Sequence, residues 1–148
     1  MPKFKYRLQG VLDIKKQFES QARMEFAVAA GKLREQEEIL ERLKERREAC
    51  LQEARDLRNS SVTARELRDS DTAIKIMDDR IRDQMLNVKR AEDEVSRARQ
   101  KVQDLMMERK TYEKLREKAF REWMKEEEAS EHRQVDELTS YTHSRDGQ

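Results

Sequence analysis

The chain has very few of the residues that build disulfides, tight turns and membrane spans. Its 148 residues include one cysteine, one proline and three glycines. Cys50 has no partner for an internal disulfide, and its place in a periodic apolar pattern predicts a small buried side chain. No apolar run approaches the roughly 18 residues of a membrane span, and the opening MPKFKYRLQG lacks the apolar segment of a secretory signal. These absences predict a protein of the reducing cytoplasm.

Residues that catalyse reactions or hold cofactors are also scarce. The three glycines are isolated, so no phosphate-binding loop is indicated. His132 has Glu128 four residues before it, but one carboxylate with one imidazole is a weak metal motif. Lys and Arg number 33 against 32 for Asp and Glu, which argues against a nucleic-acid partner. We therefore predict a protein that is not an enzyme and has no cofactor, no metal and no nucleic acid.

Charge and heptad periodicity are what the chain has in abundance. Charged residues make up 44% and hydrophobic residues 35%, a balance typical of long solvated helices. Two stretches place apolar residues at alternating spacings of three and four, which predicts a left-handed coiled coil with these a and d positions as its seam. In the first stretch the seam is Ala22, Phe26, Ala29, Leu33, Gln36, Leu40, Leu43, Arg47, Cys50, Ala54 and Leu57. In the second it is Leu67, Ser70, Ile74, Met77, Ile81, Gln84, Val88, Ala91, Val95, Ala98, Val102, Leu105, Arg109, Tyr112, Arg116, Ala119 and Trp123.

A short run of turn formers separates the two stretches. Asn59, Ser60 and Ser61 favour turns, and Thr63 with Glu66 has the spacing of a capping box. Two helices of similar length joined by a short turn fold back on each other, so the predicted fold class is all-α, with two long helices forming an antiparallel coiled-coil hairpin. The predicted bounds are helix 1 at about 4–58, a turn at about 59–62 and helix 2 at about 63–138, in one domain of residues 1–139 with a disordered tail at 140–148.

Periodicity alone leaves two registers open. A turn near Ser61 sets Cys50 against Ile74, whereas sliding helix 2 by one heptad sets Arg47 beside Gln84. The capping box favours the tighter turn.

The end of the hairpin opposite the turn is predicted to be wider and more aromatic. The seam of helix 1 is expected to continue there as Val11, Ile14 and Phe18, with a stutter that relaxes the supercoil. Tyr112, Phe120 and Trp123 of helix 2 lie roughly opposite. The basic start of the chain and the acidic stretch 125–137 would also meet at this end, as an antiparallel arrangement requires.

Several apolar residues fall outside the predicted seam. They are Met24, Ile76, Leu86 and Met107 on outward c or f positions, and Met85 and Met106 on e positions. Each could be a stray exposed side chain, and together they could be buried in a homodimer. The recurrence of Met85-Leu86 and Met106-Met107 as pairs instead favours a docking strip, because methionine adapts to different partners.

Both ends of the chain resemble the FliJ family of the flagellar type III export apparatus. The opening FKYRLQGVLDIK, followed by Glu19, Ala22 and Glu25-Phe26-Ala27, is similar to the start of that family. The stretch REKAFREW at 116–123, followed by Glu131, Arg133, Asp136 and Glu137, is similar to its C-terminal segment. The likeness covers nearly the whole chain.

This resemblance implies a cytoplasmic protein, peripherally associated with the inner face of the cell membrane, whose partners are the export ATPase ring, the export gate membrane protein and the export chaperones. We expect it to be a monomer in isolation. The expected ring contacts are Arg7, Leu8, Arg116, Arg121 and Trp123, and the expected gate or chaperone contacts are Ile76, Met85 and Leu86. An injectisome-type stalk and a homodimeric spacer remain as alternatives, and Leu8 and Trp123 could be simple packing residues.

Overall fold

Two long helices account for almost all of the structure, a computed structural model that describes residues 2–147. Helix α1 spans Gln9–Arg58 and helix α2 spans Ala64–Asp146. No strand occurs among the described residues. The two helices pack against each other, which confirms the predicted all-α helical hairpin. No helix within residues 2–147 is long and apolar enough to cross a membrane.

Helix α1 begins at Gln9, five residues later than the sequence predicts. Residues 2–8 are not helical. Their backbone instead places Phe4 against Phe120, with ring centroids 5.2 Å apart, and Tyr6 where its hydroxyl donates to the Tyr112 carbonyl at 3.2 Å. A helix starting at Phe4 would give up these contacts, so side-chain packing sets the beginning of α1.

Helix α2 continues to Asp146, where the sequence predicts a disordered tail from Ser140. No glycine or proline lies between Ala64 and Asp146, so the backbone has no residue that would break the helix. From residue 131 to residue 147 every side chain is exposed. The last position of the predicted tail, Gln148, lies outside the described residues, as does Met1.

The connection between the helices follows the predicted turn chemistry. Asn59 and Ser60 donate backbone N–H groups to the carbonyls of Asp56 and Leu57. Thr63 caps α2, because its hydroxyl oxygen accepts from the backbone N–H of Glu66 at 3.2 Å. This is the threonine half of the capping box.

The described residues group into two compact units. Unit 1 contains residues 2–20 and 104–147, and unit 2 contains residues 21–103. We treat each by itself. That residues 1–139 form one domain remains a prediction.

Unit 2 has the seam that its heptads predict, since every a and d residue in it is buried or half-buried. Its polar seam residues also settle the register. The Gln84 amide donates to the side-chain oxygen of Gln36 at 2.8 Å, and Arg47 pairs with Asp78. These pairs belong to the tighter turn, whereas the alternative would have set Arg47 beside Gln84.

In unit 1 the predicted stutter is wrong. Ile14 and Phe18 are each 48% exposed, while Leu12 is 1% and Glu19 is 5% exposed. The positions that face α2 are Leu8, Leu12, Lys15 and Glu19, which continue the spacing of Ala22 and Phe26 without a break. The heptad persists because its two charged seam residues have partners on α2, so the apolar character of Ile14 and Phe18 does not rotate the helix.

Candidate partner-binding surfaces

An aromatic cluster in unit 1 joins the start of the chain to α2. Phe4 lies between Phe120 and Trp123, with ring centroids 5.2 and 5.8 Å away, and the Phe120 and Trp123 rings are 6.0 Å apart. Edge and tilted contacts of this kind stabilise beyond their buried area. The cluster confirms the aromatic character expected of this end. Phe4 was missed, although an aromatic residue before the first helical turn is a signal for such a contact.

Arg116 is attached to the same cluster. Its guanidinium carbon lies 5.4 Å from the centre of the Phe4 ring, and its Nε donates to the Gln9 side-chain oxygen at 2.9 Å. Arg116 is exposed although it occupies a seam position. It therefore presents a charge that is held in place by a ring and a hydrogen bond, which costs a binding partner little ordering.

The other residues expected at the ring contact are spread over unit 1. Trp123 and Leu8 are half-buried, and Leu8 lies on the seam of α1. Arg7 and Arg121 are exposed. The structure thus brings Arg116 and Trp123 together through Phe4, while Leu8 has the burial of a packing residue.

An ion-pair layer crosses the seam of unit 1, and the sequence analysis did not foresee it. Arg109 pairs with Glu19 and with Glu113, the latter at 3.0 Å, and Lys15 pairs with Glu108 at 2.9 Å. The signal was available, because Glu19 and Arg109 are opposite charges on facing seam positions.

These pairs shift the protonation equilibria of the two cations. The hydrogen bond to Glu108 raises the pKa of Lys15 above its ordinary value. Hydrogen bonds to Glu19 and then Glu113 raise the pKa of Arg109. Both residues therefore stay charged throughout the physiological range, and the layer acts as fixed structure.

The expected gate or chaperone residues lie in unit 2 and are all exposed. Ile76 is 47% exposed, and Met85 and Leu86 are each 54% exposed. The continuous helix places Ile76 and Leu86 about 80° apart, whereas Met85 lies about 180° from Ile76 around the axis. Ile76 and Leu86 thus share the outward side of α2, and Met85 belongs to a flank.

Chemistry of the catalytic or metal-binding kind finds little support in this arrangement. Among the described residues no group of three or more His, Cys, Asp or Glu side chains could hold a metal ion. Cys50 is half-buried in the seam, as its heptad position predicts. What the described residues offer is a set of side chains along the outside of two paired helices.

The fold and these surfaces define a two-helix coiled-coil protein that presents faces to other molecules. A family model described as "Flagellar FliJ protein" matches residues 4–148. The chain belongs to the FliJ family.

One solved structure supports the same fold. A putative YscO homolog from Chlamydia trachomatis is similar to this chain with a TM-score of 0.56 and 23% sequence identity, covering 96% of each chain. No curated protein with which the chain was compared matches it.

Proposed function

We propose that this FliJ-family protein is a non-enzymatic component of flagellar type III protein export, in which unit 1 engages the export ATPase ring. The match of residues 4–148 to the flagellar family is the observation that carries the proposal. The geometry adds to it a cation held over an aromatic cluster, formed by Arg116, Phe4 and Trp123. Arg7 and Arg121 add exposed charge to the same unit.

The second part of the proposal concerns the export gate and the substrate chaperones. We assign them to the outward side of α2 in unit 2, at Ile76 and Leu86, with Met85 beside them. Exposed apolar side chains at these positions suit partners that are bound and released in turn, because each contributes a modest buried area. In this scheme the protein works in the cytoplasm, at the inner face of the membrane, as a stalk and an escort.

Stimulation of the cognate export ATPase tests the ring contact. Replacing Arg116→Glu together with Arg121→Glu should abolish stimulation, while helicity and melting stay unchanged because exposed arginines add little stability. The matched control is Arg90→Glu with Arg97→Glu, two exposed arginines of unit 2, which should stimulate normally. Full stimulation by the folded Arg116 and Arg121 variant would place the ring contact elsewhere.

A pull-down with the purified gate protein and a purified chaperone tests the second part. Ile76→Asp with Leu86→Asp should weaken binding without unfolding the chain, since both side chains are about half exposed in the free protein. Met24→Asp, at an exposed position of α1 in the same unit, is the control and should bind normally. Equal binding by all three proteins would remove this assignment.

An injectisome-type stalk is the second candidate, favoured by the fold shared with the putative YscO homolog. The neighbouring genes decide between the two systems. Flagellar structural genes beside this one support the proposal, and injectisome genes support the alternative.

A further inference from the structure

An apolar flank of unit 1 has no partner among the described residues. Ile14 and Phe18 of α1 are each 48% exposed, and Val11 lies half-buried one turn earlier. The three residues occupy successive g and c positions, directly beside the seam. They form a stripe where a helix with a single partner would carry polar side chains.

Helix α2 contributes to the same flank. Leu115, which is 44% exposed, lies one heptad after Glu108, and Glu108 reaches across to Lys15 of α1 at 2.9 Å. That bridge shows that this side of α2 borders α1. The two helices therefore frame a shallow groove lined by Val11, Ile14, Phe18 and Leu115, which we call the flank groove.

The width of the apolar arc indicates what kind of molecule fits. From the seam residue Leu12 round to Ile14, the apolar residues of α1 cover about 160°, wider than the roughly 100° that one partner needs. A helix with so wide an arc packs against two neighbours, as in a helical bundle. Helix α2 is one neighbour, and a groove between two antiparallel helices accepts a third helix most readily.

Charge beside the groove indicates the sign of its partner. Four successive outward positions of α2 are basic and exposed, namely Lys114, Lys118, Arg121 and Lys125. None of them takes part in an ion pair given by the described residues. Cations left without partners along one rim attract an anionic face.

We propose that the flank groove docks an amphipathic helix of a partner protein that carries acidic side chains along one flank. Its apolar residues pack on Ile14, Phe18 and Leu115, and its carboxylates meet Lys114 and Lys118. This contact is separate from the ring contact through Arg116 and Trp123, and neither depends on the other.

A designed peptide tests the proposal with the full-length protein. The probe has about three heptads with Leu at a and d and Glu at the flanking positions, a pattern whose own charge opposes self-association. A second peptide carries Lys in place of Glu. Fluorescence anisotropy should show saturable binding of the acidic peptide with one peptide per chain, and much weaker binding of the basic one.

Two variants locate the site. Ile14→Asp with Phe18→Asp should weaken binding of the acidic peptide by at least about tenfold, because two apolar contacts are lost. Lys114→Glu with Lys118→Glu should reverse the preference toward the basic peptide. The control, Met24→Asp with Val28→Asp, changes exposed apolar residues of α1 in unit 2 and should bind as the unaltered protein does. Circular dichroism of each variant checks the fold.

Three outcomes would overturn the proposal. Equal affinity for both peptides, or unchanged affinity after the Ile14 and Phe18 change, would show that the groove does not select an acidic helix. Sedimentation that reveals a dimer abolished by Phe18→Asp would make a second copy the occupant. Binding to phosphatidylglycerol vesicles in place of the peptide, lost in the same variants, would assign the groove to a membrane surface.

Discussion

Glu19 occupies a position where a carboxylate is tolerated only with a partner. Only 5% of the residue is exposed, so an unpaired charge there would have lost its water without compensation. Arg109 supplies that compensation, and the guanidinium is itself anchored by Glu113 at 3.0 Å. The two residues therefore act as one unit within the seam.

We expect Glu19→Ala to destabilise the hairpin by about 2 kcal/mol, because it leaves Arg109 partly buried beside an empty space. Urea unfolding followed by circular dichroism measures the change. Glu25→Ala is the comparison, since it removes an exposed ion pair with Lys101 and should cost under about 0.5 kcal/mol. Equal losses would show that the burial of Glu19 does not matter.

The pair can also be removed whole. Glu19→Leu with Arg109→Leu should recover most of the stability lost in Glu19→Ala, since neither charge is then left alone. A double variant as unstable as the single one would contradict this reading.

The Lys15 contact gives a pH dependence of defined sign. Its pKa is raised in the folded protein above the ordinary 10.5, so its contribution is fully present below that value and is lost as pH rises through the raised pKa. The difference in melting temperature between the unaltered protein and Lys15→Gln should be constant from neutral pH to about pH 9 and then shrink at higher pH. A difference that shrank below pH 9 would show that another group controls it.

Single residues were also where sequence reasoning was weakest. Phe4 and Glu19 decide the packing of unit 1, yet neither belongs to an apolar heptad. Their roles depend on which side chain lies opposite, and periodicity within one helix does not contain that information. By contrast, the burial of Cys50 and of Leu40 follows from their own helix and was predicted.

At the scale of the element, the beginning of α1 shows how a heptad outlasts its apolar residues. Sequence spacing there offered two choices, a stutter through Ile14 and Phe18 or a continuous seam through Leu12 and Glu19. The apolar count favoured the stutter. The structure has the continuous seam, because register is set by neighbouring layers on both sides and the charged layer is satisfied across the helices.

Truncations at two positions distinguish these arrangements in solution. Leu12→Ala should destabilise the protein by about 2–3 kcal/mol, because Leu12 is 1% exposed and its loss leaves a cavity in the seam. Phe18→Ala should cost under about 1 kcal/mol, since half of the ring is already in water. Thermal unfolding of the two variants side by side gives the comparison. The reverse order of stability would restore the stutter.

The helix ends divide in the same way between local and tertiary causes. Arg58 as the end of α1 and Thr63 as the cap of α2 follow from turn formers and capping chemistry, and both were predicted within a residue or two. The late start at Gln9 depends on contacts of Phe4 and Tyr6 with α2, which no local signal reveals. The extension of α2 to Asp146 reflects the absence of any helix-breaking residue before Gly147.

At the scale of the whole molecule, the pairing of the helices is specified by a few polar contacts. Gln36 with Gln84, Arg47 with Asp78, and Glu19 with Arg109 are each satisfied in one register only. A slip of one heptad would leave these side chains unpaired among apolar neighbours, which costs more than the apolar residues alone would lose. Polar layers therefore choose the register that periodicity left open.

This pairing predicts a monomeric hairpin in solution. Spin labels at Ala27 and Arg97, introduced as cysteines in a Cys50→Ser background, should lie close together, since Phe26 and Arg99 are in contact across the helices with the guanidinium 5.7 Å from the ring centre. In-line helices would instead separate the two labels by about 105 Å within one chain. Light scattering at micromolar concentration should report the mass of one chain.

Labelled protein diluted into an excess of unlabelled protein separates the remaining possibilities. A hairpin keeps its short label distance unchanged on dilution, because both labels belong to one chain. A pair of extended chains would lose any short distance as labelled chains exchange partners, and light scattering would report twice the mass. That combined result would replace the hairpin with a homodimeric spacer and would remove the basis for the flank groove.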